Sequence, residues 1–284
     1  MAKRASPGRR RSRRLPCAAA AVALALAAIL ADSRWRLDRD EYVLASARLP
    51  AGFEGFRIVQ LSDLHGMEFG ENNRRLVEAV RAAQPDLIAL TGDLITEKED
   101  VPAVRALCAE LTRFAPCYFV SGNHDVGSRA YPELRAALEE SGVTVLSNEY
   151  RTLERGGDRI VLCGVEDPIA WADMPTPKAL AASLRAAYPE DYVLLLGHRN
   201  DFAEKYPSLD VDLILSGHGH GGVVRLPFAG GVLGNNGELF PEYDAGVYHT
   251  YCYDMVISRG LGGVKGIPRF LNPPHIPIIT LKCE

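Results

Sequence analysis

The chain has 284 residues, of which 47% are hydrophobic, 24% are charged and 8% are aromatic. These are ordinary values for a globular protein, so they exclude a predominantly disordered chain. The formal net charge is −4, but residues 1–14 carry seven basic and no acidic side chains, so residues 15–284 form an acidic body. An acidic body argues against a nucleic acid as the main partner, because that binding requires Lys and Arg to neutralise phosphates.

The N-terminal part of the chain predicts a membrane segment. Residues 1–14 are a basic tail, and residues 15–31 are uncharged and apolar, which is near the lower limit for a spanning helix. By the positive-inside rule, the basic tail stays in the cytoplasm and the rest of the chain crosses the membrane. The prediction is a single-pass signal anchor in the cell membrane, with the rest of the chain on the extracytoplasmic side. A cleaved signal peptide, and therefore a secreted protein, is the alternative, because Ala25-Leu26-Ala27 is typical of a cleavage site.

Residues 32–49 are expected to be a linker, and the soluble part beyond them alternates strand and helix patterns. Six short apolar runs predict buried strands, at residues 57–61, 86–90, 117–120, 160–163, 192–196 and 213–215. Four amphipathic patterns predict helices, at residues 72–83, 101–113, 131–141 and 176–187. Residues 221–284 are rich in Gly and Pro and predict hairpins and loops that complete a second sheet. The expected architecture is two packed sheets with helices outside.

Most of the predicted strands end in a polar motif. In chain order these motifs contain Asp63 and His65 (DLHG), Asp93 (GD), Asn123, His124 and Asp125 (GNHD), His198 (GH), and His218 and His220 (GHGHGG). In an open α/β sheet, ligands bind at the carboxyl ends of strands, so these side chains are expected to converge on one crevice. Carboxylates, imidazoles and one amide suit Zn, Fe, Mn or Ni rather than a metal held by thiolates.

This ordered set of motifs resembles the calcineurin-like metallophosphoesterase superfamily over roughly residues 50–284. The opening LPAGFEGFRIVQLSDLHG, the run SGHGHGG and the late SRGLGG and IPRFLNPP are similar to the bacterial membrane-associated branch of the YkuE and YaeI phosphoesterases. The resemblance implies an α/β fold, a four-layer α/β/β/α sandwich, in which residues 50–284 form the catalytic domain.

The resemblance also implies a dinuclear metal site and a reaction. Asp63, His65 and His220 would hold the first divalent ion, Asn123, His198 and His218 the second, and Asp93 would bridge them. The ions would be Mn, Fe, Zn or Ni, and a hydroxide bridging them would cleave a phosphodiester or phosphomonoester. His124 would lie near the leaving group, with Asp125 orienting its imidazole.

Three positions depart from the pattern of the branch. The sequence Arg199-Asn200-Asp201 lacks the usual proline after His198, Gly219 replaces the usual Thr, and His275 replaces a common Glu. None of these changes removes a ligand, but the first two leave the shape of the substrate-side loops open. His249 and His275 are interpreted as structural or surface residues.

Two other features have more than one interpretation. Arg199 and Arg259 are interpreted as surface or salt-bridge residues rather than as contacts to a substrate phosphate. The segment 260–266 is either a loop at the rim of the pocket or a plain turn.

The expected partners are a small phosphorylated substrate, with a lipid or a nucleotide-lipid among the candidates, and the membrane through the N-terminal segment. Two alternatives to the phosphoesterase hypothesis remain open. One is a pyrophosphatase that acts on a nucleotide-lipid of the UDP-diacylglucosamine type. The other is a non-catalytic scaffold with the same fold.

Overall fold

The computed structural model describes residues 14–170, 174–235, 237–264 and 266–284, with side chains from residue 18 onwards, so most of the basic tail lies outside it. The strands are β1 (Asp38–Ser46), β2 (Arg57–Leu61), β3 (Leu87–Thr91), β4 (Cys117–Val120), β5 (Thr144–Val145), β6 (Glu149–Arg155), β7 (Asp158–Gly164), β8 (Val193–Leu196), β9 (Leu213–Ser216), β10 (Arg225–Leu226), β11 (Gly230–Gly231), β12 (Gly246–His249), β13 (Asp254–Ile257) and β14 (His275–Cys283). The α-helices are α1 (Arg14–Trp35), α2 (Arg74–Ala82), α3 (Val101–Leu111), α4 (Asn123–Gly127), α5 (Tyr131–Glu140), α6 (Pro177–Ala187) and α7 (Phe202–Lys205).

The longer strands form two six-stranded sheets. The first has the order β1-β14-β2-β3-β4-β5, and all its neighbours are parallel except β14 and β2. The second has the order β12-β13-β9-β8-β7-β6, with antiparallel pairs only at its two edges. Parallel neighbours bring the carboxyl ends of β2, β3 and β4, and likewise of β7, β8, β9 and β13, to one edge of each sheet.

Three apolar cores lie between four layers. Helices α2, α3 and α5 bury Leu76, Leu107 and Leu134 against the outer face of the first sheet. The inner faces of the two sheets share a second core, and α6 covers the outer face of the second sheet with Leu180 and Leu184. The four-layer α/β/β/α sandwich expected from the resemblance is therefore confirmed.

The six predicted inner strands and four predicted helices all form, with boundaries shifted by at most two residues. The largest shift at a helix start is in α2, which begins at Arg74 rather than residue 72. Asn73 adopts a left-handed backbone conformation there, and its Oδ1 accepts the backbone N–H of Phe69 at 2.9 Å. The asparagine therefore closes the preceding turn and does not cap the helix through its side chain.

Two expectations about the ends of the soluble part are wrong. The expected linker, residues 32–49, contains β1, whose nine residues pair in parallel with β14. The many charged residues of β1 do not form the apolar run that predicts a strand, because an edge strand keeps much of its surface in water. The C-terminal segment does supply β12 and β13 to the second sheet, but β14 inserts between β1 and β2 of the first. The pairing of β14 with β1 joins segments that are far apart in sequence, and local sequence patterns do not encode such a pairing.

Helix α1 extends beyond the predicted segment of residues 15–31, as far as Trp35. Of the described helices, α1 alone is long and apolar enough to span a membrane, with Ala18–Trp35 as the candidate span. Its apolar side chains are exposed: Val22 is 60% and Leu24 is 72% accessible. At its end, buried Ser33 accepts the backbone N–H of Asn272 at 3.4 Å, which joins the helix to the domain.

The position of β1 decides where α1 meets the domain. The register of β14 against β2, with Thr280 opposite Arg57 and Ile278 opposite Val59, shows that β14 begins beside the carboxyl end of β2. Strand β1 runs parallel to β14, so it begins at the same edge. Helix α1 precedes β1 and therefore joins the domain at the edge where the motif-bearing strands end.

Candidate metal centre

The polar motifs all follow strands at this common edge. Asp63 and His65 follow β2, Asp93 follows β3, and Asn123 begins α4 directly after β4. His198 follows β8, and His218 and His220 follow β9, so ligand atoms from both sheets meet where the sandwich opens. The expected convergence of the motifs on one cleft is what the geometry shows.

The backbone at five of these residues adopts the left-handed conformation that L-residues avoid. The φ angles are 51° at Asp63, 49° at His65, 54° at Asp93, 65° at His218 and 46° at His220. Such a conformation costs of order 1–3 kcal/mol for a residue other than glycine, and it clusters at functional sites because the surrounding fold supports it. The turns aim these side chains into the cleft and not along the strands.

Two glycines make room for the carboxylates. A Cβ atom at Gly122 would overlap the Asp93 carboxylate, and a Cβ atom at Gly217 would overlap that of Asp63. The glycines in GNHD and in SGHGHGG therefore have a steric reason, which is the close approach of backbone to a buried carboxylate.

The first cluster contains Asp63, His65 and His220, whose nearest ligand atoms lie within 4.8 Å of one another. Nε2 of His220 is 3.5 Å from Oδ1 of Asp63 and 3.3 Å from Nε2 of His65. Two ring nitrogens and a carboxylate oxygen this close together form a donor set that suits a divalent cation.

The second cluster contains Asp93, His198 and His218, again within 4.8 Å. Nε2 of His198 is 3.2 Å from Oδ2 of Asp93 and 3.2 Å from Nδ1 of His218. The same Asp93 oxygen is 3.7 Å from Nε2 of His65, so this carboxylate lies between the two clusters.

Asn123 adds an unpartnered acceptor to the cleft. Its Oδ1 atom is buried and has no hydrogen-bond partner among the residues that the structure describes. A buried polar atom without a partner is costly, and native proteins rarely leave one. Asn123 and His218 line the same cleft, so a cation held there would satisfy this oxygen, and the residues present fit a second metal ion.

Hydrogen bonds outside the two clusters fix the orientation of two imidazoles. Nδ1 of His198 donates to the carbonyl oxygen of Thr91 at 2.8 Å, which directs Nε2 towards Asp93. Nδ1 of His65 lies 2.8 Å from Oγ1 of Thr96. Such contacts fix the ring orientation of metal-binding histidines, and nothing in the local sequence marked Thr96 for this role.

Burial shapes the charge of the cleft. It raises the pKa of the Asp63 carboxyl to about 6, and it lowers the pKa of His65 to about 4 and that of His218 to about 2. Burial also opposes ionisation of Asp93, but the neighbouring imidazoles of His198, His65 and His124 outweigh it and lower the pKa of that carboxyl. Burial likewise opposes the charge of His198, but the Asp93 carboxylate outweighs it and raises the pKa of this imidazole to about 10. A divalent cation at the second cluster would therefore replace the proton of His198 beside Asp93.

His124 and Asp125 have different environments from each other. His124 is exposed in the cleft, and its ring meets that of His65 edge-on at 4.8 Å between centroids. Asp125 is fully buried, and its two oxygens accept four backbone N–H groups, those of Asp93, Leu94, Ile95 and Gly122, at 2.7–3.1 Å.

The expectation that Asp125 orients the His124 imidazole is therefore corrected. The two residues are consecutive in helix α4, and consecutive helical side chains point in different directions. Asp125 instead holds the loop that carries Asp93.

The four remaining candidates lie beside carboxylates of the surrounding structure, and Nη1 of Arg199 is also 3.1 Å from Nε2 of His218. Arg199 forms a two-pronged ion pair with buried Asp167, at 2.6 and 3.2 Å, and Arg259 pairs with Asp38 at 2.8 Å. His275 is buried 3.0 Å from Asp40, and His249 pairs with Asp254 at 2.7 Å. Each of the four residues thus contacts a carboxylate, which agrees with their interpretation as structural or salt-bridge residues.

The cleft is an open cavity of about 890 Å³. Gly263 and Val264 line it, so the segment after β13 reaches the rim of the pocket and is not a remote turn. Arg34 and Trp35, at the end of α1, line it as well. Sequence reasoning missed this contribution, because the predicted segment ended at residue 31.

Arg269 is a further residue that the sequence did not point out. It is buried, its Nε donates to the carbonyl of Gly262 at 2.7 Å, and its Nη2 donates to that of Arg259 at 2.6 Å. Nη2 also lies 3.5 Å from Nδ1 of His220. The guanidinium thus ties the loop after β13 to the first cluster, and its place in the late IPRFLNPP motif was the available signal.

Comparison with known proteins points to one family of phosphoesterases. The family described as calcineurin-like phosphoesterase matches residues 56–222. The chain is 31% identical over 257 residues to the uncharacterized metallophosphoesterase YkuE of Bacillus subtilis, which covers 87% of this chain and 86% of that protein. It is 29% identical over 233 residues to the phosphodiesterase YaeI of Escherichia coli, with 80% and 82% covered. A transmembrane protein with a metallophosphoesterase domain from Danio rerio is 29% identical, with 83% of this chain and 55% of that protein covered.

Proposed function

Because the chain belongs to the calcineurin-like phosphoesterase family and is a metal-dependent phosphoester hydrolase, we propose that it cleaves phosphodiester or phosphomonoester bonds with two divalent ions beside a membrane. The observation that carries the proposal is the meeting of two ligand clusters on the Asp93 carboxylate. A dinuclear centre needs one ligand that reaches both ions, and Asp93 is the described carboxylate between the two sets of imidazoles.

In this proposal the ligands divide into two sets and a bridge. Asp63, His65 and His220 hold one ion, Asn123, His198 and His218 hold the other, and Asp93 contributes to both. When bound, the ions supply Lewis acidity, which activates water and offsets the charge of the phosphoryl group. Carboxylate, imidazole and amide donors of this kind suit Mn, Fe, Zn and Ni.

His124 is the proposed acid for the leaving group. It is an exposed imidazole in the cleft, and its backbone N–H donates to Oδ1 of Asp93 at 2.8 Å, which fixes its place relative to the centre. An imidazole can transfer a proton near neutral pH, so it can protonate or stabilise a departing alkoxide. Asp125 acts indirectly, since it holds the Asp93 loop to which His124 is bonded.

The membrane part of the proposal rests on α1. Its candidate span, Ala18–Trp35, is exposed almost throughout, and the chain resembles a relative that is named as a transmembrane protein. We propose a single spanning helix with the catalytic domain on the extracytoplasmic side, because residues 1–14 carry the basic charge that is retained in the cytoplasm.

A second candidate function is hydrolysis of the pyrophosphate of a nucleotide-lipid. The observation that favours it is the mixed lining of the cleft, where Trp35, Met67 and Val264 lie near the ligand clusters. A non-catalytic scaffold is less well supported, because such a protein has no need to retain seven converging ligands.

The decisive experiment combines metal analysis with hydrolysis of bis-p-nitrophenyl phosphate by the purified full-length protein. The proposal predicts about two divalent ions per chain and metal-dependent release of p-nitrophenol, lost on chelation and restored by Mn²⁺. A matched control is Glu78→Gln on α2, whose exposed carboxylate pairs with Arg74, and neither residue lines the cleft. Protein without divalent ions, or hydrolysis that survives complete chelation, contradicts the proposal.

A further inference from the structure

The domain presents a second feature at the edge where α1 joins it, a group of exposed apolar side chains. We define the apolar loop face as Leu226, Phe228, Leu239, Phe240, Ile267 and Leu271, which are 39–110% exposed. Phe228, at the tip of the turn between β10 and β11, is completely exposed. Large exposed apolar groups gathered on one side of a soluble domain usually mark a contact surface.

Backbone hydrogen bonds join these loops to one another. The N–H of Arg225 bonds to the carbonyl of Phe270 at 2.9 Å, and the N–H of Val232 bonds to that of Val224 at 2.8 Å. The N–H of Phe240 then bonds to the carbonyl of Val232 at 2.9 Å. The segments that bear the apolar loop face are therefore one connected surface and not separate flexible tips.

The same surface is continuous with the end of α1. Asn272, which follows Leu271, donates its N–H to Ser33 in the last turn of the helix. Arg75 donates to the carbonyl of Trp35 at 3.0 Å, so a second contact fixes the helix end against the domain. Trp35 is itself 44% exposed and lines the catalytic cleft.

A bilayer is the occupant that this arrangement favours. Helix α1 is apolar and exposed all round, which is unstable in water and suits a lipid environment. The contacts of Ser33 and Trp35 hold the end of α1 directly against the domain, without a linker between helix and domain. If α1 spans the membrane, the edge of the domain at which α1 ends therefore faces the membrane surface. The apolar loop face and the cleft mouth are both at that edge.

We propose that the apolar loop face inserts into the lipid surface beside α1, and that the cleft takes phosphoesters whose apolar part remains in that leaflet. This inference rests on the proposed phosphoesterase function and narrows its substrate class to membrane amphiphiles. Amphipathic surfaces of this kind bury their apolar side chains at the boundary between headgroups and acyl chains. The phosphate of such a substrate lies at headgroup level, where the ligand clusters open.

The opposite end of the domain offers a matched control. Tyr251 lies in the turn between β12 and β13 and is also completely exposed. Strand β12 is antiparallel to β13, whose carboxyl end is at the site edge, so this turn is at the far end of the sheet. Nine-residue strands such as β1 put the two ends of the domain about 26 Å apart.

The first test measures lipid contact directly, in the full chain reconstituted into vesicles of phosphatidylcholine and phosphatidylglycerol. Phe228→Trp and Tyr251→Trp each add one indole, and the emission of the unsubstituted protein is subtracted. Phosphatidylcholine brominated on its acyl chains is expected to quench the indole at 228 and leave that at 251 unchanged. Equal quenching at the two positions, or none at 228, overturns the proposal.

The second test distinguishes access to a membrane-bound substrate from the hydrolysis step itself. Two esters with the same leaving group are compared, a diacylglycerol p-nitrophenyl phosphate in the vesicles and soluble bis-p-nitrophenyl phosphate. Phe228→Asp is expected to lower hydrolysis of the vesicle ester by about tenfold and leave the soluble ester unaffected, because a charge resists insertion at the interface. Tyr251→Asp is expected to change neither rate.

The outcomes distinguish this inference from the proposed function. Equal rates for Phe228→Asp and the unsubstituted protein on the vesicle ester contradict the role of the face, while hydrolysis of the soluble ester still supports the phosphoesterase. If the unsubstituted protein hydrolyses neither ester, the proposed function fails and the substrate class fails with it. The quenching measurement then still decides whether the face contacts lipid.

Discussion

Oδ2 of Asp125 accepts the backbone N–H of Asp93 at 2.7 Å, so the candidate bridging ligand is held by a buried carboxylate that does not itself face the cleft. The other oxygen of Asp125 accepts the N–H groups of Leu94 and Ile95. The side chain of Asp125 therefore holds the whole turn after β3, and this turn includes Asp93, whose backbone is in a left-handed conformation. The geometry of the centre depends on this support as much as on the ligands.

Asp125→Ala is expected to destabilise the fold and to lower metal occupancy together. The substitution leaves four buried N–H groups without their acceptor, which costs about 3 kcal/mol or more. Thermal unfolding and elemental analysis of the metal content measure the two effects. If Asp125 instead acted through His124 alone, turnover would fall while melting temperature and metal content stayed the same.

Asp93→Asn and His220→Ala are expected to differ in metal stoichiometry. Asp93 lies between the clusters, so the loss of its carboxylate is expected to weaken the binding of both ions. His220 belongs to the first cluster only, so its loss is expected to weaken the binding of one ion. Elemental analysis of the purified variants is expected to give fewer than one ion per chain for Asp93→Asn and about one for His220→Ala. The same stoichiometry in both variants would argue against the bridge.

His124→Ala is expected to slow turnover by about 10²–10⁴-fold for an alkyl ester with the metals still bound, because the leaving alkoxide then lacks its acid. The loss is expected to be much smaller for a p-nitrophenyl ester, whose leaving group needs little protonation. Rates for the two esters, with metal content measured in parallel, test this assignment. An equal loss on both esters would point to a structural role.

Gly219 and Asn200 are expected to be energetically coupled. A Cβ atom at Gly219 would lie 2.9 Å from Nδ2 of Asn200, which donates to the carbonyl of Tyr243 at 2.6 Å. Gly219→Thr is therefore expected to displace Asn200 and destabilise the protein, and Asn200→Ala is expected to relieve part of that cost. A double-mutant cycle on the free energy of unfolding is expected to give a coupling of about 1 kcal/mol. If the effects of Gly219→Thr and Asn200→Ala on the free energy of unfolding were additive, the two positions would be independent of each other.

The contribution of His275 to the stability of the protein is expected to fall as the pH decreases from 6.5 to about 4. Burial lowers the pKa of His275 from 6.5 to about 4, so over this range the unfolded state binds a proton that the folded state does not. His275→Gln is expected to reduce the pH slope of the unfolding free energy by at most about 1.4 kcal/mol per pH unit. The neighbouring Asp40, whose pKa is lowered to about 2, affects only more acidic conditions. Urea unfolding of the metal-free protein at several pH values measures the slope, and an unchanged slope contradicts the assignment.

The sequence by itself determined the inner strands, the flanking helices and the side chains that meet in the cleft. Buried parallel strands read as short continuous apolar runs, and ligands follow their carboxyl ends, so both signals are local. The order of the motifs along the chain is enough to indicate the family. The position of β1 was missed for the opposite reason, since an exposed edge strand carries charged residues such as Asp40 and Glu41 that conceal its period.

Only the tertiary structure decided what the buried residues around the ligands do. Asp125 was expected to serve its neighbour His124, but its hydrogen bonds go to residues about thirty positions away. Likewise β14 pairs with β1 across more than two hundred residues, and this pairing joins α1 to the edge that holds the cleft. Such relationships depend on chain segments distant in sequence satisfying one another's polar groups, and no local pattern of residues carries that information.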